Sequence, residues 1–291
     1  MPILKDGHKV DWGNLQIYQI FTKNQIMLST FQDFVQDNTI TIADHQSVVF
    51  FGEQLFDIFL DGSNIRIILG DNSTCHIFEV CSKQNNSSIQ NIIVEQQANS
   101  NFKWFKFIDS SQNGQLRVNI IGNNTNTEIL NLIIPKQNTD QDQNEPELTP
   151  IISLNQSIFC SHNNNRIWHQ SKAIQSIESK IDLLHRVNAD YQAENLTVNQ
   201  QLQVINSNER ASQQLQPILE IQTPDVICSH SASISAFEAQ SLLYLQSRGL
   251  NHSQTNQILN SAFVQKMLDN IEILCIREVI MEAIVLTLNP L

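Results

Sequence analysis

The sequence predicts a mainly β protein, a parallel β-helix followed by a small all-helical C-terminal domain. Three observations favour the β-helix. Strand-like runs continue to about residue 225 with no convincing helix, their apolar residues are mostly Ile, Val and Leu, and Asn is frequent in the turns between them. Branched residues suit stacked strands, and Asn tolerates left-handed backbone. The chain has only 8 glycines, which are too few for a fold built on two-residue hairpins.

Short apolar runs separated by polar turns recur about every ten residues, a spacing that sandwiches, barrels and β-helices share. Asn and Gln together number 64, which fits tight turns but names no function. The runs predicted as strands are 39–42, 47–51, 55–60, 64–69, 75–80, 89–94, 102–108, 116–121 and 128–134.

Two later segments interrupt this pattern. Residues 136–150 (KQNTDQDQNEPELTP) are acidic and rich in amides, which predicts an exposed loop within the β-region. Residues 171–184 fit either a helix or a pair of strands, and the sequence leaves that choice open.

The character of the chain changes after His230. Ser235 and Glu238 have the spacing of a capping box, which predicts a first helix that ends at Gly249. A second helix is expected from near Asn251, and a third over about 272–288. The domain prediction is therefore a β-helix over 1–230 and a helical unit over 231–291, which is too small to be stable unless it packs on the β-helix.

The charge balance argues against a nucleic-acid partner. The chain carries 17 Lys and Arg against 29 Asp and Glu, a net charge of −12, whereas phosphate binding needs clustered cations. Lys103 and Lys106 come closest to such a cluster, and their strand-like run predicts a solvated face over an apolar one.

Five scattered cysteines without a CxxC pair argue against a disulfide framework and against structural zinc, and they fit a reducing compartment. The first residues lack the apolar core of a signal peptide. The apolar tract 271–288 is interrupted by Glu272, Arg277, Glu278 and Glu282, which predicts a helix packed on protein and not in a membrane. We expect a cytoplasmic protein.

Four ordered segments carry a family resemblance: PILEI at 217–221, DVICSH at 225–230, LYLQSRG at 243–249 and AF at 262–263. They resemble the end of proteins of the SufB/SufD family of iron–sulfur cluster assembly. The resemblance lies on the SufD side, since SufB proteins have an E-H-E-A-T type sequence in place of Cys-Ser-His.

The resemblance implies a right-handed parallel β-helix with C-terminal helices and a non-catalytic scaffold role. It implies pairing with SufB through the β-helix, docking of the SufC ATPase on the helices, and iron or an iron–sulfur cluster shared transiently with a partner. Without a SufB partner, a homodimer is the expected alternative.

The resemblance also implies site residues. His230 is the implied ligand for iron or cluster, with Cys228 beside it, and Tyr244, Arg248 and Phe263 are implied in partner docking. Imidazole and thiolate suit iron, and residues two apart on a strand face the same side. The competing interpretations are that Cys228 is a buried apolar residue and that His230 caps the break between the last strand and the first helix.

Several other residues are expected to be structural. A second Cys-Ser-His at 160–162 has no counterpart in the family and is interpreted as coincidence, and Cys75, His76 and Cys81 are expected in strands. Arg248 is expected to close the first helix at its carbonyl end.

The chain also departs from the family pattern. Ser231 stands where the family has Gly, which predicts strain if that position needs a positive φ. Strand-like runs begin within the first forty residues, where the family commonly has a helical region. These departures leave open a degenerate, purely structural SufD-like subunit.

A β-helix enzyme acting on carbohydrate is the remaining alternative. Such an enzyme needs paired acidic residues in a groove, whereas the acidic residues here are scattered or lie in 136–150. The sequence also has no GxSxG, HExxH or GxxxxGK motif. We therefore expect no catalytic activity.

Overall fold

A computed structural model describes residues 17–22, 25–28, 35–53, 64–82, 90–136 and 149–288. The described chain has 17 strands and then three helices. Their bounds are β1 Ile17–Thr22, β2 Gln25–Leu28, β3 Val35–Gln36, β4 Thr39–Ile42, β5 Ser47–Glu53, β6 Asn64–Leu69, β7 Thr74–Cys81, β8 Gln90–Gln96, β9 Asn101–Ile108, β10 Gln112–Ile120, β11 Asn126–Ile133, β12 Ile151–Cys160, β13 Arg166–Gln175, β14 Lys180–Ala189, β15 Leu196–Asn206, β16 Ser212–Ile221, β17 Val226–Ser235, α1 Ala239–Ser247, α2 His252–Leu268 and α3 Leu274–Leu288.

The strands from β4 onward form a parallel β-helix, as the sequence predicts. Odd-numbered strands from β5 to β17 pair in parallel in one sheet (sheet A), and even-numbered strands from β4 to β16 pair in parallel in the other (sheet B). Each turn of the β-helix therefore contributes one strand to each sheet. At the N-terminal end, β1 pairs antiparallel with β2 and β5, and β3 pairs antiparallel with β4.

Most predicted strands coincide with strands of the structure. Residues 39–42 and 64–69 match β4 and β6, and the other described runs lie within or overlap β5 and β7 to β11. The run 55–60 lies outside the described residues. Residues 171–184, left open by the sequence, cover the end of β13 and the start of β14 and are not helical.

Of the predicted loop 136–150, only Lys136, Thr149 and Pro150 lie within the described residues. The turn of the β-helix that contains it is the longest between paired strands: Thr125 bonds to a residue 40 positions later, whereas neighbouring turns span 25 to 32 positions. The extra length is accommodated without changing the pairing of β11 with β13.

Asparagines in left-handed conformation form one corner of successive turns. Asn72, Asn99, Asn124, Asn164 and Asn195 have φ between 51° and 59°, the region that Asn adopts more readily than most residues. The Asn124 amide donates to Asn99 Oδ1 at 3.1 Å, and the Asn195 amide donates to Asn164 Oδ1 at 2.7 Å. The abundance of Asn in the turns thus has the local cause that the sequence predicts.

Two apolar clusters fill the space between the sheets. One contains Ile77, Trp104 and Ile129 of sheet A, and the other contains Ile108, Ile133 and Leu154. Every second residue of a strand faces inward. Between the two apolar clusters, these inward positions hold polar residues, which follow one another along the axis of the β-helix.

A third apolar cluster lies on the outside of sheet A. Phe78, Phe105 and Leu132 face α2 and α3 there and pack against helix residues that include Met267 and Ile280. The C-terminal helices are thus held by the same strands whose other face lines the β-helix interior. This packing is the support that a small helical unit needs.

The two lysines expected on a solvated face are both buried, Lys103 beneath the helices and Lys106 inside the β-helix. Lys103 and Lys106 are only 6% and 8% exposed, so that expectation is wrong. Lys103 donates to the Asn270 carbonyl at 2.7 Å, just beyond α2, and pairs with Glu128 at 2.9 Å. Lys106 instead faces the interior, where it lies 3.4 Å from Glu79.

The helix ends differ in part from the prediction. The capping box at Ser235 is wrong: Ser235 ends β17, and α1 begins after Glu238, whose side chain makes no capping bond. Asn251 and Gln254 form a complete capping box at α2. Gly249, with φ of 90°, follows α1 as expected.

Candidate functional site

The last turn of the β-helix, β16 and β17, leaves one end of the fold uncovered; we call it the open end. Strand β17 pairs with β15 on one edge, and no described strand pairs with its other edge. Nine of its ten residues are exposed, including Ile227 at 76% and Ile234 at 51%. Its sequence, VICSHSASIS, contains none of the Lys or Pro residues that usually protect an edge strand from pairing.

Cys228 and His230 lie together on β17. They stand in register with Val198 and Gln200 of β15, whose side chains are buried inside the β-helix. Cys228 and His230 therefore face the axis, but no later turn covers them and both are exposed. The interpretation of Cys228 as a buried residue is wrong. The thiol and the imidazole share one side of one strand, as their spacing predicts.

These two side chains do not form a complete metal site within the described chain. No group of three His, Cys, Asp or Glu residues among the described positions could hold a metal ion. Cys228 and His230 would therefore make up only part of the ligand set of an iron bound at the open end. The arrangement suits a shared site, because the two candidate ligands lie where a partner strand could approach.

A polar layer extends inward from the open end between the two apolar clusters. The rings of His169 and His185 stack there, with centroids 3.6 Å apart and planes 6° apart. His169 Nε2 donates to Gln156 Oε1 at 2.8 Å, and His185 Nε2 lies 3.0 Å from Ser171 Oγ. Burial lowers the pKa of His169 to about 3, and burial together with neighbouring His169 lowers the pKa of His185 well below its usual value.

The polar layer continues to the buried Lys106–Glu79 pair. The Asn131 amide donates to Gln156 at 2.8 Å and to Ser171 at 2.9 Å, which links the two histidines through one network. A cavity of about 20 Å³ lies beside Lys106, Asn131 and Gln156, room for about one water molecule.

No local sequence pattern predicts this layer. Its signal lies within β13 and β14 themselves: His169, Ser171 and His185 occupy inward positions. Other inward positions of these two strands hold apolar residues, such as Ile167, Ala173 and Leu183. That pattern becomes visible only when the register of the parallel strands is known. The stacking of the two rings also needs the distance between the sheets, which no single strand encodes.

The second Cys-Ser-His has a structural environment. The Cys160 thiol is buried, donates to the His162 carbonyl at 3.5 Å and accepts from the Asn165 amide at 3.3 Å. Burial raises its pKa, an effect that the two hydrogen bonds oppose in part. Cys75 and Cys81 are likewise buried in β7, as expected.

The three residues predicted for docking lie on two helices. Tyr244 on α1 is 58% exposed, and the Arg248 guanidinium lies 5.4 Å from the centre of its ring. Helix α1 has no buried residue, and Leu243 beside Tyr244 is 66% exposed. Phe263 instead packs toward sheet A, where the Lys172 amine lies 4.6 Å from its ring centre and donates to its carbonyl at 2.7 Å.

Ser231 causes no visible backbone strain. It lies in the middle of β17, pairs in register with Gln201, and does not belong to the non-glycine residues with positive φ. The glycine of the family pattern is therefore not needed here for a left-handed backbone. In the described part of the chain, no helix is long and apolar enough to cross a membrane.

The chain is similar in sequence to known iron–sulfur cluster assembly proteins. Residues 27–263 match a family model described as "SUF system FeS cluster assembly, SufBD core domain". An iron–sulfur cluster assembly SufBD family protein of Synechocystis is 42% identical over 83 residues, 28% of this chain. The iron–sulfur cluster assembly protein SufD of Plasmodium falciparum is 24% identical over 284 residues, 92% of this chain. The matched region spans 18% of the length of each relative.

Proposed function

Because this chain belongs to the SufB/SufD family of iron–sulfur cluster assembly proteins, we propose that it serves as a SufD-like, non-catalytic scaffold subunit of such an assembly complex. The observation that carries the proposal is the open end. A ten-residue edge strand without protective residues is suited to pairing with a second protein, and it carries Cys228 and His230.

The partner at the open end is proposed to be a SufB-like subunit. Its strand would add to the free edge of β17 and extend sheet A, and the exposed Ile227 and Ile234 would become buried. The same contact would bring its side chains to the iron or cluster that Cys228 and His230 hold in part. Iron is the cargo of this site and is shared between the subunits.

The helices are proposed to dock an ATPase of the SufC type. Helix α1 presents Leu243, Tyr244 and Arg248, and an exposed aromatic residue beside Arg is a composition enriched at protein interfaces. Phe263 would contribute indirectly, because its contacts with Lys172 hold α2 against sheet A. ATP hydrolysis would then belong to the partner.

Co-expression with SufB-like and SufC-like proteins of the same source tests both contacts. A tag on this chain should retain both partners. Ser231→Lys places a charge on the free edge of β17 and should release the SufB-like protein, whereas Thr197→Lys on the covered strand β15 should not. Absence of either partner from the wild-type pull-down would contradict the corresponding contact.

The helix contact has its own variant and control. Tyr244→Ala combined with Arg248→Ala should release the SufC-like protein and leave the SufB-like protein bound. Tyr191→Ala is the matched control, because Tyr191 is also an exposed tyrosine (65%) but lies in a turn of the β-helix.

The ligand role is tested separately from complex formation. His230→Ala should lower the iron bound by the purified three-component complex without releasing either partner. A purely structural SufD-like subunit predicts instead that the bound iron is unchanged in this variant.

A further inference from the structure

One inward position of sheet A changes from apolar to polar as the chain approaches the open end. The residues in register along β5, β7, β9, β11, β13, β15 and β17 are Phe50, Ile77, Trp104, Ile129, His169, Gln200 and His230. The first four are buried apolar residues that fill the core. The fold can therefore fill this position with apolar side chains, and the polar residues near the open end call for a reason other than folding.

Gln200 is the most unusual member of this series. It is only 1% exposed, and neither its Oε1 nor its Nε2 has a hydrogen-bond partner among the described residues. Among the other buried glutamines, Gln96, Gln156, Gln170 and Gln175 each bond to a neighbour, and Gln112 lacks a partner at its Nε2. Gln200 is the one for which both side-chain polar atoms lack a partner among the described residues. A buried amide without a partner is unfavourable, so the position of Gln200 indicates a partner that arrives later.

Gln200 has two partners in the register: the buried His169 of β13, to which its side chain makes no hydrogen bond, and His230 of β17. His230 is the candidate whose surroundings a second subunit would change. It is the direct strand partner of Gln200, its side chain faces the same way, and paired strands lie about 4.8 Å apart. His230 is exposed, which leaves its imidazole free to rotate. A subunit that covers the open end would confine this ring over Gln200.

We propose that Gln200 is a positioning residue for His230, whose imidazole N–H it accepts at its amide oxygen when a partner covers the open end. This bond would fix the ring and leave the other ring nitrogen free to bind iron. Histidines that bind metals commonly donate their second ring nitrogen to such an acceptor. The inference rests on the ligand role of His230 proposed above.

The test uses the complete three-component complex and Co²⁺ as a spectroscopic substitute for iron. Gln200→Leu removes the acceptor and retains the volume, and Gln200→Glu retains an acceptor oxygen at the same reach. Gln203→Leu is the matched control, since Gln203 is the same residue type on β15 but faces outward. For each variant, the dissociation constant for Co²⁺ is measured on the complex and the thermal midpoint on the isolated chain.

We expect Gln200→Leu to weaken Co²⁺ binding to the complex by about tenfold or more. The thermal midpoint of the isolated chain should stay the same or rise, because in that chain the change removes an amide without a partner. Gln200→Glu and Gln203→Leu should bind Co²⁺ within a few-fold of the wild type. Unchanged Co²⁺ binding in Gln200→Leu, or a loss that the Glu variant does not rescue, would overturn the inference.

His230→Ala separates this inference from the proposed function. If His230→Ala weakens Co²⁺ binding and Gln200→Leu does not, only the role of Gln200 is wrong. If neither change affects Co²⁺ binding, or if the wild-type complex binds no Co²⁺, the ligand role itself fails and the inference fails with it.

Discussion

His169 and His185 make the stability of the β-helix depend on pH. Both rings are fully buried and stacked, and burial holds both pKa values below the ordinary value of 6.5. Unfolding exposes them to water, where they bind protons near pH 6.5. Between that pH and the low pKa of the folded protein, about 3 for His169, the unfolded state holds more protons, so stability falls as the pH is lowered.

His169→Gln should reduce this pH dependence. Each histidine that must stay neutral lowers the free energy of unfolding by about 1.4 kcal/mol per pH unit below pH 6. Denaturant unfolding at pH 7, 6 and 5 gives the slope of the free energy of unfolding against pH. In His169→Gln this slope should be smaller than in the wild type by the contribution of about one proton, ~1.4 kcal/mol per pH unit. His252→Gln, at an exposed histidine of α2, should retain the wild-type slope. Equal slopes for His169→Gln and the wild type would refute this explanation.

The two Cys-Ser-His motifs should differ in thiol reactivity. Cys228 is exposed, whereas Cys160 is buried, hydrogen-bonded and has a raised pKa. Because the thiolate is the reactive form, an alkylating reagent should modify Cys228 in the native protein and Cys160 only after denaturation. Peptide mass spectrometry after a short treatment measures both sites, and Cys228→Ser identifies the fast thiol. Modification of Cys160 at the rate of Cys228 would contradict the structure.

For single residues, the sequence predicts which side chains share a strand face, but it does not predict which of them are buried. The spacing of Cys228 and His230 places them on one side of a strand, and the structure agrees. The second Cys-Ser-His, at 160–162, has the same spacing and is interpreted as coincidence; β12 ends at Cys160, and the thiol is buried. Burial depends on how many turns follow a strand, which a local motif does not reveal.

At the level of elements, the asparagine corner is the feature most directly encoded. Asn164 has φ of 58° and accepts the Asn195 amide at 2.7 Å. Asn164→Ala would lose this bond and would place alanine in a left-handed conformation that costs about 1–2 kcal/mol. Asn164→Gly would lose only the bond.

We therefore expect Asn164→Ala to lower the free energy of unfolding by about 2 kcal/mol and Asn164→Gly by about 1 kcal/mol. Denaturant unfolding of the two variants beside the wild type measures the difference. If glycine destabilises as much as alanine, the left-handed conformation is not the reason for Asn at this position.

The helices show where local signals compete with tertiary packing. The Ser235–Glu238 spacing resembles a capping box, yet parallel pairing with β15 continues through Ser235 and delays the helix to Ala239. Lys103 alternates like a surface residue, yet helix packing covers it and gives its amine a carbonyl at 2.7 Å. Both errors arise from contacts between residues that are distant in the sequence, which periodicity does not register.

For the whole molecule, the decisive contrast is between a covered face and an uncovered end. The helices α2 and α3 complete the outer face of sheet A, where the apolar cluster is buried. No described element pairs with the free edge of β17, although β17 is as long as most of the strands inside the β-helix. We propose that a second subunit supplies this missing contact.

Amide hydrogen exchange of β17 tests this claim most directly. In the isolated chain, amides of the Val226–Ser235 segment that point to the free edge should exchange rapidly, because they have no strand partner. Addition of the SufB-like protein should slow their exchange, while the amides of the already paired β13 should change little. Protection confined to the helices, with β17 exchanging as rapidly as before, would contradict pairing through the open end.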